Sequence, residues 1–189
     1  MEKNAKTILE LAAKTGVCRT GRRYLATTKK DIHTLVKGWK NWPEYFYEHS
    51  GTAIEVVRAS IDPEIQSHLK TNNIFVDYTG DAKIDTSDVA VYVMGDSETK
   101  ITTTDYVVLK IYLFNRATVE LRPAKNAIIE VEAWDNTKVI VHPEEEAKVN
   151  VYLYGDAQGT GSATFVKKEY ERNTVFNGRE PTKQTAGRN

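Results

Sequence analysis

Residues 87–156 read, in tens, SDVAVYVMGD (87–96), SETKITTTDY (97–106), VVLKIYLFNR (107–116), ATVELRPAKN (117–126), AIIEVEAWDN (127–136), TKVIVHPEEE (137–146) and AKVNVYLYGD (147–156). The third, fifth and seventh places carry Val89, Val91, Val93, then Thr99, Ile101, Thr103, then Leu109, Ile111, Leu113, and so on to Val149, Val151, Leu153. Alternation over five to seven residues is the period-2 signature of a strand with one buried face. Each run breaks at a turn. The ninth place of the odd-numbered phrases holds Gly95, Asn115, Asp135 and Gly155, residue types that tolerate a positive φ.

A strand every ten residues fits two architectures: an antiparallel meander or sandwich, and a β-solenoid with about twenty residues and two strands per coil. A longer period decides between them. The eighth place reads Met94, Thr104, Phe114, Ala124, Trp134, Glu144, Tyr154, so large apolar residues return every second phrase. Tyr92, Tyr112, Glu132 and Tyr152 do the same at the sixth place, and Pro123 and Pro143 are twenty apart. In a meander such residues lie two strands away, roughly 9.5 Å apart. In a solenoid they lie one above the other, about 4.8 Å apart, where aromatic rings form a ladder. The pattern therefore predicts an α+β chain: a small helical head over residues 1–70, a β-solenoid over 71–166 and a tail over 167–189.

The edges of the repeat carry further expectations. Asn72 to Asp81 looks like an extra phrase, and the short piece Ala82 to Thr86 implies a bulge, a tight first coil or a hairpin. Pro123 and Pro143 lack a backbone donor and should end strands at a corner. Gln158-Gly159-Thr160-Gly161-Ser162 is expected to close the regular coils, with TFVKK from Thr164 as a last strand. Beyond Tyr170 the chain has few apolar residues and resembles a flexible or partner-ordered segment.

In the head, residues 5–14 read as a short helix with Ile8, Leu11 and Ala12 inward. Thr28 with Asp31 resembles a capping box opening a helix that buries Ile32, Leu35, Val36 and Trp39. Pro43 fits the first turn of a third helix, Ser50 or Thr52 opens a fourth, and Asp62-Pro63 starts a fifth. Such a head would cover the open edge of the first coil or dock the stalk onto a larger assembly.

Formal net charge is zero but unevenly spread. Residues 1–70 carry twelve Lys/Arg against eight Asp/Glu, residues 71–166 eight against fifteen, and residues 167–189 six against three. Opposed patches suit head-to-stalk or subunit attraction, and an acidic β-section disfavours nucleic acid as a partner. No apolar run of about eighteen residues offers a membrane span. The first residues scatter Lys and Arg without the apolar core of a signal peptide, so cytoplasmic synthesis is expected.

Sites of chemistry are sparse. No Gly-rich phosphate loop or nucleophile elbow follows a strand. The single Cys18, beside Arg19, Arg22 and Arg23, has no identifiable partner, and His33, His49, His68 and His142 lack metal-ligand spacing. Glu144 to Glu146 read as a solvated corner. Lys110 and Arg122 are isolated candidates for a lyase-type groove. No catalytic residue, metal or cofactor is assigned. The outward stripe of Tyr92, Met94, Tyr112, Phe114, Trp134, Tyr152 and Tyr154 is the candidate site. It would be a homo-oligomer or partner interface, or else a glycan-stacking platform for host-surface attachment.

The phrases AIIEVEAWDN and AKVNVYLYGD resemble short-period β-repeat proteins of gut bacteria and their phages, which carry runs of the type NATV-x-AYD. The resemblance covers residues 72–168. It implies a non-enzymatic structural or attachment component of a phage particle, working beside other structural proteins and incorporated into a virion after synthesis. No catalytic residues carry over from it.

Overall fold

A computed structural model describes residues 61–169, the segment 31–41 and the positions Lys6, Leu9, Glu10, Arg23, Thr27 and Arg58. Eleven strands alternate between two parallel sheets. They are β1 (Ile74–Val76), β2 (Thr79–Ile84), β3 (Val89–Met94), β4 (Glu98–Thr103), β5 (Val108–Leu113), β6 (Thr118–Arg122), β7 (Ile128–Ala133), β8 (Lys138–Val141), β9 (Lys148–Tyr154), β10 (Gln158–Gly161) and β11 (Thr164–Lys168). The first sheet has the order β1-β3-β5-β7-β9-β11 and the second β2-β4-β6-β8-β10. Every pair is parallel, and Leu109 pairs with Ile129, which pairs with Val149. The chain is thus a β-solenoid of twenty residues and two strands per coil, and the meander is excluded.

The interior follows from the alternation. Val91, Ile111, Val131 and Val151 lie in one register on the first sheet, and Ile101, Leu121 and Val141 face them from the second. Parallel strands need a crossover, and here each crossover is a tight corner leading into the opposite sheet. Small residues at the start of the even phrases, Ser97, Ala117, Thr137 and Ala157, are buried in those corners. Each fully buried Ile or Leu contributes roughly 1.5–3 kcal/mol of transfer free energy, so the columns are the main source of stability.

Two different corners alternate. After the odd strands, Ala117 N–H donates to Phe114 O (3.3 Å) and Ala157 N–H to Tyr154 O (3.3 Å). Only the first central residue of these turns has positive φ: Asn115 at 64° and Gly155 at 63°, with Asp135 at 63° and Gly95 at 74° in the same column. That is the pattern of a type II′ turn. After the even strands, Ala127 N–H donates to Ala124 O and Ala147 N–H to Glu144 O. There the second central residue is left-handed, as at Asn126 (62°) and Glu146 (70°), with Tyr106 (61°) above them. This is a type II pattern. Pro123 directly follows β6 and Pro143 lies two residues beyond β8, as their missing donors require.

The coil tightens at both ends. Ile74 pairs with Tyr92 and Thr79 with Glu98, so the irregular start is a short first coil rather than a bulge or hairpin. At the other end Thr164 pairs with Asn150, only fourteen residues back. Gln158–Gly161, expected to close the regular coils, does so as a strand, β10, in full register with β8. Its glycines make room for the last turn. A Cβ on Gly159 would overlap the Phe165 ring, and one on Gly161 would overlap the carbonyl of Val141. Phe165 therefore lies against the core where Val119 and Val139 stand in the coils before it.

Two helices of the head are described. In α1 (Ile32–Asn41) Thr34 N–H donates to Asp31 Oδ1 at 2.9 Å, so Asp31 itself is the cap. Thr28, the expected cap, lies outside the described residues. Val36 is buried as expected, whereas the side chains of Ile32, Leu35 and Trp39 lie outside the description. In α2 (Pro63–Thr71) Asp62 caps the Ile65 N–H at 2.8 Å and Pro63 opens the first turn. Ile65 and Leu69 of α2 are buried, and the helix packs on β1. Gln66 Nε2 also donates to Val76 O at 3.5 Å. All three residues of β1 are buried, Phe75 in the coil interior and Ile74 and Val76 outside it. The helices expected at 5–14, from Pro43 and from Ser50 or Thr52, and the tail beyond residue 169, lie outside the described residues. Among the described residues, no helix is long and apolar enough to cross a membrane.

Candidate functional site

The outer face of the first sheet holds all seven residues of the aromatic stripe. Alternation turns Tyr92, Tyr112 and Tyr152 away from Val91, Ile111 and Val151, and the parallel register places them in a column interrupted by Glu132. Tyr92 and Tyr112 stack with centroids 5.2 Å apart and planes 7° from parallel. Trp134 and Tyr154 stack more closely, at 3.9 Å and 5°. Phe114 lies 6.4 Å from Tyr112, at 12°. Stacking of side chains one coil apart follows directly from the solenoid register.

Burial divides the stripe. Tyr92, Met94 and Phe114 are at most 2% exposed, and Trp134 is 6% exposed. Tyr92 Oη reaches the carbonyl of Lys40 at the end of α1 (3.5 Å). An oligomer is thus not needed to bury Phe114 and Trp134, because one chain already does so. Tyr112, Tyr152 and Tyr154 keep partial exposure. Burial pushes the Tyr112 and Tyr154 phenols above their ordinary value, Glu132 adding to the shift at Tyr154.

Lys110 stands at the centre of this face. Its Nζ lies 2.9 Å from Glu130 and 2.8 Å from Glu132, and 5.3 Å from the centre of the Tyr112 ring. Partial burial opposes its charge, but the hydrogen bonds it donates to Glu132 and Glu130 outweigh this and hold the ammonium above the ordinary lysine range. Arg122 pairs with Glu120 at 2.6 Å. The two cations considered for a lyase-type groove therefore lie on different sheets, each engaged by carboxylates. Lys110 stays an ammonium and Tyr112 a neutral phenol near neutral pH, so neither is poised for proton transfer.

A second constellation joins head and solenoid. Arg58 grips Asp77 through Nε (2.6 Å) and one terminal nitrogen (2.8 Å), and the same nitrogen reaches Asp96 at 2.7 Å. Arg116 closes on Asp96 from the next coil at 2.6 and 2.9 Å. Asp96 N–H also donates to Asp77 Oδ1. Arg58 holds the Asp77 carboxyl below its ordinary value, and Arg116 does the same for Asp96. The column continues beneath: Gly95 N–H donates to Asn115 Oδ1 (3.1 Å) and Asn115 N–H to Asp135 Oδ2 (2.9 Å). Charge asymmetry in the sequence pointed to head-to-stalk attraction, but not to Arg58.

Lys125 engages two of the three corner carboxylates: its backbone N–H donates to Glu144 (3.2 Å) and its Nζ lies 3.5 Å from Glu146. Among the described residues, no three potential metal ligands converge. A shallow groove of about 310 Å³ on the second sheet is lined by Asp81, Glu98, Lys100, Thr118 and Glu120. Among the described residues, the exposed large apolar side chains are Tyr106 (75%), Ile128 (49%) and Val108 (42%), all at one corner. Val108 and Ile128 occupy the second place of their phrases, an outward place that held the signal, whereas Tyr106 stands at the tenth, in a turn. Comparison of the chain with protein-family models, with curated proteins and with solved structures gave no match.

Proposed function

We propose that the protein is a non-enzymatic structural or assembly component, of the kind built into a phage particle, in which the solenoid is a rigid unit and the head a docking element. The observation that carries this reading is the way the aromatic stripe is used. Its largest side chains are buried within the chain, Tyr92 reaches the Lys40 carbonyl of α1, and Arg58 binds Asp77 and Asp96 at two successive corners. The result is a solenoid with α2 and Arg58 held against its first coils. Its first edge is covered by α2 and its last coil is filled by Phe165. Among the described residues, its exposed large apolar side chains are concentrated on one flank. A shape of that kind suits attachment to neighbours through its side rather than growth by end-to-end stacking.

The attachment reading requires open aromatic faces for a sugar. Here ring faces are spent on one another in the Tyr92–Tyr112 and Trp134–Tyr154 pairs, which favours assembly over glycan binding. The test is mass spectrometry of purified particles from the phage or host that carries this gene, together with a glycan array. The proposal expects stoichiometric recovery with the particle and an empty array. Absence from particles, or saturable glycan binding abolished by Tyr154→Ala, would overturn it.

A further inference from the structure

The exposed corner has a pattern that complements itself. Along one column of the first sheet, perpendicular to the strands, stand Asp88, Val108, Ile128 and Lys148. Val108 pairs with Ile128, Ile128 with Lys148, and Asp88 donates its backbone N–H to Val108 O at 2.8 Å. The order is therefore acid, apolar, apolar, base, over about 14 Å at the usual strand spacing. All four are exposed. Among the described residues, neither Asp88 nor Lys148 makes an ion pair. The neighbouring column runs Ala90, Lys110, Glu130, Asn150, with its own central pair of opposite charges. Tyr106, the most exposed of the large apolar residues, precedes the first column at the corner, with half-buried Asn126 one coil below.

We infer that this flank binds a second copy of the chain, the two solenoids running antiparallel about a two-fold axis that passes midway between β5 and β7, perpendicular to the long axis of the coils. A two-fold interface pairs residue i with j and j with i. Reversal of the column brings Val108 against the partner's Ile128 twice and Asp88 against the partner's Lys148 twice. Lys110 then comes beside the partner's Glu130, and Tyr106 beside the partner's Asn126. A parallel arrangement puts like beside like and leaves both charges unmatched. The complementary charges fix orientation, and the apolar pair supplies the desolvated centre. The inference deepens the oligomeric part of the proposed assembly role and uses the strand-start columns of the same outer face, next to the aromatic stripe.

The test uses the full chain in a Cys18→Ser background. Light scattering across a concentration series should show a species of twice the 21.4 kDa chain mass. Ile128→Asp should weaken it by roughly tenfold or more, with the circular dichroism spectrum retained. Asp88→Lys and Lys148→Asp should each weaken it, and the double swap should restore it. Mixed chains carrying Val108→Cys and Ile128→Cys should form disulfide-linked heterodimers faster than either chain links to itself. A monomer at every concentration, a dimer indifferent to Ile128→Asp and to the swaps, or preferential linking of Val108→Cys to itself would each overturn the inference. Dimerisation without incorporation into particles would leave the flank standing and refute only the proposed role.

Discussion

Replacing Gly159 with valine tests how the last coil is closed. The two preceding coils carry Val119 and Val139 at this place, so the repeat itself would accept the change. The structure forbids it, because a Cβ on Gly159 would overlap the Phe165 ring. Overpacking of this kind costs about 1–3 kcal/mol. Removing the ring with Phe165→Ala costs about 2 kcal/mol, below the range for a fully buried phenylalanine because the side chain is only half-buried. In the double variant the valine enters space that the ring has left, so the overlap disappears and part of the cavity is refilled. The double-mutant cycle should therefore be less than additive by about 0.5–3 kcal/mol, the range for residues in contact. Urea unfolding of the four proteins measures this, with unchanged slopes to show that the unfolded surface is the same. Strict additivity, or a Gly159→Val variant as stable as the parent, would refute the account of Phe165 as the filler of the last turn.

Three further outcomes follow from the geometry. Asn115→Ala should destabilise the chain by about 2–3 kcal/mol, through the left-handed φ of 64° and the lost acceptor for Gly95 N–H. Asn115→Gly should cost measurably less by thermal unfolding, since it keeps the φ and loses only the acceptor. Leu121→Ala, at a fully buried position of the second sheet, should cost about 2–5 kcal/mol in chemical unfolding, whereas Lys138→Ala on the outer face of the same sheet should stay within about 0.5 kcal/mol. For acid stability, Asp77 and Asp96 have folded-state values depressed below the ordinary 3.8. Their contribution is present above that value and is lost as pH falls through the depressed one. Arg58→Gln removes part of the depression, so the stability gap between parent and variant should be full at neutral pH and close in strong acid. A gap that widens on acidification would show that Arg58 acts otherwise.

The alternation of Val89, Val91, Val93 and its copies made the interior legible, because a period of two has only one structural meaning once its twenty-residue super-period is seen. The odd corners were legible for a similar reason: Gly95, Asn115, Asp135 and Gly155 share a tolerance for positive φ. The even corners were not. Tyr106, Asn126 and Glu146 share no such chemistry, and two of the three types disfavour the conformation that the tight turn imposes on them. Gln158–Gly161 was legible as the close of the regular coils, but its pairing as a strand was not, because its glycines carry no alternation and serve a strand whose neighbours crowd it. The aromatic stripe was placed on the correct face by alternation. Its burial was not legible, since it depends on how the chain packs over that face, and periodicity carries no information about that. The Arg58 network joins residues nineteen and thirty-eight apart across the head and the first coils, a separation with no local signature.

The account rests on residues one coil apart being neighbours in parallel strands. Amide nuclear Overhauser contacts in isotopically labelled protein test this most directly. The predicted result is the parallel pattern linking Ile111 with Val131 and Val131 with Val151, with no close Hα–Hα pairs between β5 and β6 or β7 and β8. Strong Hα–Hα contacts between those consecutive strands would show an antiparallel meander and contradict the fold, the stacked rings and the self-complementary flank together.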